Sequence, residues 1–336
     1  MNIKSCSTYL LLFLILFCIG CRHNGSGSIK PVDIIRFDKE LTDAFETQSD
    51  TALQEAFLKK YSGFLDIYCQ GVLNLSPADS SYPVSGLKRF LSNQNIRQIY
   101  ADTETKFADT KPIEKELGTL SKQIVQAFPD KSLPHIYTHV SGFNQSYIVT
   151  DSIISIALDN FLGKDYPPYT NTFYEYQLAT KSPEYIIPGL AQVWLYSEFP
   201  HPHAPVETLL DNMIYEGKIL YAAQQLLPDT PVEQILGYTP QQAEWLTQNE
   251  PVIWDRILTQ QDLYSTNTIT KSKYINPAPF TSTLIQEAPG RAGRWVGWRI
   301  VSAYMDENRH ISLSQLLNDN DTDSQTILKL SKYKGK

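Results

Sequence analysis

Between Pro205 and Pro228 the chain reads as one unbroken helix, VETLLDNMIYEGKILYAAQQLL. Pro205 suits a first helical turn, because the N–H it lacks would go unpaired there. Leu209, Met213, Glu216, Leu220, Ala223 and Leu227 follow one another at spacings of 4, 3, 4, 3 and 4, which makes them one stripe of a helix facing a core. Glu216 lies inside that stripe, although Asp211, Tyr215 and Lys218 mark an opposite face expected to meet water. A carboxylate among apolar neighbours must find a partner or hold a proton. The fold therefore has to bring backbone N–H groups, a Tyr hydroxyl or an Arg to Glu216, or else use it as a site residue.

The second possibility has a definite geometry. Zinc hydrolases with two His and one Glu carry HExxH on one helix and take the third ligand from the next, where a Glu-Gly on this helix would serve. The preceding helix, SPEYIIPGLAQVWLYSEF from Ser182, contains no His, and HExxH occurs nowhere in the 336 residues. The loop between the helices, His201-Pro202-His203-Ala204-Pro205, offers ligand types with Glu198 and Glu207 nearby. Two His flanking a Pro cannot chelate in the helical i, i+4 manner, so no metal site and no cofactor are predicted. A metal-dependent hydrolase using Glu216 with His201 and His203 is the alternative.

Residues 1–20 carry a Lys and then the apolar run YLLLFLILFCIG, the length of a secretory signal's hydrophobic core and short for a bilayer span. It ends at Cys18-Ile19-Gly20-Cys21, which resembles a bacterial lipobox with Cys18 where Leu is more usual. Cys21 is the expected lipidation site and residues 21–30 a flexible tether; an ordinary signal peptide or an uncleaved anchor are the alternatives. Without an acidic run after Cys21, a periplasm-facing position is expected. The formal charge is −7 with no Lys/Arg run, which excludes nucleic acid as a partner. Past Cys21 only Cys69 remains, so no disulfide framework can form and core burial must hold the fold. Residues 42% apolar and 19% charged permit that.

The rest of the chain predicts an α+β fold, mostly helical with a small antiparallel sheet, in a single domain over 31–336. Residues 33–38 read as a strand, 51–70 as a helix with Leu53, Phe57, Tyr61, Phe64, Leu65 and Tyr68 inward, and 113–128 as another helix. Residues 134–141, 146–150 and 153–158 predict a three-strand antiparallel meander. Within it His135 and His139 share a face about 13 Å apart, too far for one metal, and are read as half-buried. Pro188 bends its helix unless that helix starts late. Thr239-Pro240-Gln241-Gln242 and Ser312-Leu313-Ser314-Gln315 read as capping boxes, and Pro251 opens a further helix. In Ala288-Pro289-Gly290-Arg291-Ala292-Gly293-Arg294, glycines and two arginines precede a helix from Trp295. Arg291 and Arg294 are weak anion-binding candidates, set against a tight turn that lets the helix pack closely.

Several segments together carry a resemblance. The lipobox at Cys21, IIRFDKEL, ALDNFLGKDYPPY, LLDNMIYEGKILY, NEPVIW, the AP-F at 277–280 and APGRAGRWVGWRIVSAY resemble the gliding-motility-associated lipoprotein GldB family of Bacteroidetes. That resemblance implies a lipid-anchored envelope protein tied to gliding machinery, without known catalytic activity, whose partners are the membrane and other envelope proteins. A weaker likeness is to predicted zinc-dependent proteases of the gluzincin kind. It implies a degenerate zincin-like architecture in which Glu216 corresponds to the third ligand. Gln192 and Tyr196 then stand where the missing ligands would be, around a cleft free for binding.

Overall fold

The helix expected after Pro205 runs Leu209–Leu226, and the remaining layers pack on it. The structure is a computed structural model that describes residues 30–45, 51–77, 82–202, 206–285, 287–319 and 322–335. The signal segment, Cys21, the tether to residue 29, His203 and Pro205 lie outside the described residues, as does the side chain of Leu53. Thr208 starts the central helix, its side chain accepting from the Asp211 N–H while Asp211 answers the Thr208 N–H at 2.8 Å. Contrary to expectation, the face of Asp211, Tyr215 and Lys218 is not open to water. Helices Ile186–Glu198, Ala292–Glu307, Leu313–Asn318 and Ser324–Ser331 pack around this helix, so these three residues are half-buried and bonded. The Tyr215 hydroxyl donates to the Phe199 carbonyl at 3.0 Å, and Lys218 Nζ donates to the Asp319 carbonyl at 3.1 Å.

Two hydrophobic clusters meet along this helix. Ile219, Ala222, Ala223 and Leu226 belong to the one that includes the sheet, Leu209, Leu210, Met213 and Ile214 to the one among the C-terminal helices. The sheet, as described, has strands β1 (Ile34–Ile35), β2 (His135–His139), β3 (Tyr147–Val149) and β4 (Ile153–Ala157) in the order β1-β2-β4-β3. The expected antiparallel meander is corrected: β2 pairs with β4 in parallel, Ile136 opposite Ile154, and only β3 is antiparallel. The mixed order follows from burial. All of β4 after Ile153 is buried and so is most of β2, and strands covered on both faces belong inside a sheet, while the short, half-exposed β3 can take the edge. His139 is consequently fully buried, its Nδ1 2.8 Å from Ser155 Oγ, whereas His135 is exposed; neither is half-buried as expected.

Four further points are local. The helix expected over 51–70 is broken into Thr51–Lys60, Ser62–Asp66 and a wider-turned Ile67–Val72, because its aromatic face wraps Phe37, whose ring centre lies 5.0 Å from Tyr61 and 4.9 Å from Tyr68. Between residues 70 and 113, where the sequence pattern assigns no element, two helices form, Val84–Ser92 and Gln94–Lys106, the second capped by Asn93. For Pro188 the late-start alternative holds: it falls in the first turn of a helix that starts at Ile186, so it bends nothing. Pro251 lies inside the continuous helix Pro240–Thr259, on an exposed face, where the backbone hydrogen bond it removes is least costly. Among the described residues no helix is long and apolar enough to cross a membrane.

Candidate functional site

Glycine sets the geometry around Glu216. A Cβ on Gly217 would sit 2.3 Å from the Gly297 carbonyl oxygen, and one on Gly297 only 1.8 Å from that of Met213. The central helix and Ala292–Glu307 thus cross with their backbones in contact, which a side chain at either position would forbid. Arg294, one turn before Gly297, is delivered across that crossing to Glu216. Its Nε donates to Glu216 Oε2 at 2.7 Å, and the Tyr196 hydroxyl donates to the same oxygen at 2.6 Å. Arg294 Nη2 also donates to Gln192 Oε1 at 3.0 Å and to the Tyr196 hydroxyl at 3.2 Å, while Gln192 Nε2 donates to the Ile235 carbonyl at 2.7 Å. Gln192 and Tyr196 sit one turn apart on Ile186–Glu198, so one network ties three helices together.

The electrostatics match a paired, buried carboxylate. Side chains of Arg294 and Glu216 are 12% and 15% exposed. Burial works against the Arg294 charge, but Tyr196 and Glu216 more than offset it and hold the guanidinium above its ordinary value. Burial likewise pushes the Tyr196 hydroxyl up, against Arg294, so it remains a proton donor to Glu216. The sequence requirement for a Tyr or an Arg is met by both at once. An oxygen that already accepts two strong hydrogen bonds suits holding helices in register.

The other candidates are placed apart. His201 Nδ1 lies 3.5 Å from Glu207 Oε1, and its ring packs 4.3 Å from that of Tyr215, in a cavity of about 240 Å³ shared with Asp211 and Asp323. Among the described residues no three His, Cys, Asp or Glu side chains assemble for a metal ion, and no contact joins His201 to Glu216. The two arginines also diverge, so they do not form one anion site. Arg294 turns inward to Glu216. Arg291, at φ 64°, donates from Nη2 to the Gly237 carbonyl at 2.8 Å and lies 5.4 Å from the Tyr238 ring centre. The Tyr238 hydroxyl in turn donates to the Arg291 carbonyl at 2.9 Å.

Sequence reasoning missed a third group. Asp159, fully buried after β4, accepts the backbone N–H groups of Ser141 at 3.0 Å and Phe143 at 2.8 Å, clamping a turn in which Gly142 and Phe143 both have positive φ. Burial lifts its carboxyl to about 6, with the Phe143 and Ser141 hydrogen bonds opposing. Its neighbour Asn160 accepts from Lys181 Nζ at 2.6 Å. The Asp-Asn pair leaving a strand was the only signal available, and nothing in the sequence pointed to Lys181.

No curated protein and no solved structure matches the chain, and the gluzincin likeness gains no support from either comparison. Residues 22–335 match the family described as gliding motility protein GldB. That span takes in the central helix, the Arg294 crossing, the Asp159 clamp and the Arg291 turn, and on it the chain belongs to the GldB family of gliding motility proteins.

Proposed function

We propose that this protein is a lipid-anchored envelope lipoprotein that supports gliding-type machinery, or envelope assembly, by binding other envelope proteins. In this reading residues 31–336 form one domain, and it performs no catalysis. Family membership over residues 22–335 carries the proposal. The engaged state of Glu216 supports its non-catalytic part: the carboxylate that a metallopeptidase would turn to zinc is bonded to Tyr196 and Arg294. The apolar run ending at Cys21 supports the anchor, and the lack of acidic residues just after it favours a periplasm-facing position.

Three experiments test this. Cys21→Ser should abolish incorporation of labelled fatty acid and release the protein from membrane fractions; label persisting on the variant sinks the anchor. In-cell crosslinking followed by identification of co-purifying proteins should return envelope components. Purified full chain in detergent, assayed for stoichiometric zinc and peptide cleavage, should show neither. Activity that Glu216→Gln abolishes would overturn the non-enzymatic reading.

A further inference from the structure

A second place in the fold gathers positive charge without a carboxylate to meet it. Lys181 and Arg291 both line a cavity of about 190 Å³, with Gln177, Thr180, Tyr238 and Gln242 among the other walls, and among the described residues no Asp or Glu borders it. Among the described residues neither cation has a carboxylate within ion-pair distance, because the nearby Glu216 is committed to Arg294. Lys181 Nζ is held by the neutral Asn160 amide and lies 4.0 Å from the Phe173 ring centre. Arg291 is fixed by the Gly237 carbonyl and the Tyr238 ring, so both cations are positioned by neutral groups. Buried charge held this way lacks the counter-charge that usually accompanies it.

The titration behaviour agrees. Burial draws the Lys181 amine down to about 8, with the Asp159 charge only partly opposing. Arg291 is lowered too, by burial and then by Arg294. An anion entering the cavity would relieve both. A volume near 190 Å³ holds an oxyanion with a few waters, since a water's share of the liquid is about 30 Å³.

The cavity opens beside a wider depression that shares Tyr176 and Gln242 with it and adds Tyr174, Glu175 and Pro279. There the Tyr174 and Tyr176 rings stack 5.9 Å apart at 9°, and Tyr174 is 73% exposed. A pre-stacked pair, Tyr174 exposed and Tyr176 half-buried behind it, offers an aromatic platform at the mouth of a cationic hole. We propose that the Lys181/Arg291 cavity binds an oxyanionic group, carboxylate or phosphate, carried on a ligand whose body lies against Tyr174 and Tyr176. This goes beyond the interaction role above and does not depend on it.

The test uses the purified full chain in detergent at pH 7 and constant ionic strength, titrated calorimetrically with sodium phosphate, sodium acetate, and a Tyr-containing tripeptide as free acid or C-terminal amide. At least one oxyanion should bind saturably, and binding should weaken about tenfold or more in Lys181→Gln and Arg291→Gln. Phosphate binding alone identifies a phosphate site; free-acid peptide binding that is lost on amidation identifies a carboxylate site. Arg291 also braces the Gly237 turn, so Lys181→Gln, with an unchanged unfolding midpoint, is the deciding variant. No saturable binding of any probe, or unchanged binding in folded Lys181→Gln, overturns the proposal.

Discussion

Removing either end of the Glu216–Arg294 pair should be costly, and removing both should not. In Arg294→Met, Glu216 keeps only the Tyr196 hydroxyl, and Gln192 Oε1 loses the donor 3.0 Å away. Breaking a buried pair from one side costs about 3–5 kcal/mol, because an uncompensated charge stays behind. Glu216→Leu strands the guanidinium in the same way. In the double variant Leu and Met face one another across the Gly217–Gly297 crossing, and an apolar pair of similar volume is roughly neutral relative to the ion pair it replaces. The double variant should therefore cost about 3 kcal/mol or more less than the sum of the singles. Urea unfolding at pH 7 reads this out, provided the m-values of the four proteins agree. Single variants that each lose less than about 1 kcal/mol, or a double that equals the sum, would refute the holding role. A gain in stability for Glu216→Leu alone would point the other way, to a carboxylate kept at a cost for function.

The remaining predictions concern the crossing and the buried histidine. Gly297→Ala puts a Cβ 1.8 Å from a backbone oxygen, so the helices must separate, at about 3 kcal/mol or more by thermal or urea unfolding. Gly63→Ala, with nothing within 4 Å of its Cβ, is the control and should be neutral or stabilising by up to about 1 kcal/mol; equal losses at both sites would discard the close-crossing argument. Burial holds His139 down at about 3, against an ordinary 6.5, with Asp38 opposing. Its contribution to stability is complete above pH 6.5 and is lost as pH falls toward 3, amounting to about 2 kcal/mol by pH 5. Asp159, lifted to about 6, has the opposite slope between about 4 and 6, so the wild-type curve alone mixes the two. The stability gap between wild type and His139→Asn isolates the histidine and should shrink by about 2 kcal/mol from pH 7 to pH 5. A gap that stays constant with pH would mean that His139 is free to protonate in the fold.

Legibility followed the range of the interactions. The central helix, the capping boxes at Thr239–Gln242 and Ser312–Gln315 and the helix expected from Trp295 depend on neighbours a few residues away, and the structure has all of them, the last starting earlier, at Ala292. The requirement that Glu216 meet a Tyr or an Arg was readable from one residue in an apolar stripe. The identity of its Arg was not, because Arg294 lies 78 residues downstream and arrives only through the glycine crossing. Gln192 and Tyr196 were singled out as occupants of places where zinc ligands are missing, and they are the residues that bond to Arg294 and Glu216. Strand order was hidden for a similar reason. Sequence alternation assigns faces within a strand, but only the packing of helices on both sides of β2 and β4 makes those two strands central.

The segments that carry the family likeness are dispersed in sequence and meet in space. LLDNMIYEGKILY and APGRAGRWVGWRIVSAY make the Gly217–Gly297 crossing, and the latter's Arg299 donates from Nε to buried Glu250 of NEPVIW at 2.9 Å. The AP-F segment lies against Gly290, where a Cβ would come within 1.9 Å of the Ala278 carbonyl oxygen. ALDNFLGKDYPPY clamps the turn after β2 through Asp159 and, through Asn160, holds Lys181. Arg291 and Arg294 stand three residues apart at the start of one helix and are used differently: Arg294 fastens that helix to the centre of the fold, and Arg291 borders the cavity. Because the crossing fixes where the helix begins, the buried network around Glu216 also fixes where the Arg291 charge is presented. The carboxylate that looked like a remnant of catalysis is, in this geometry, part of what aims a cation at that cavity.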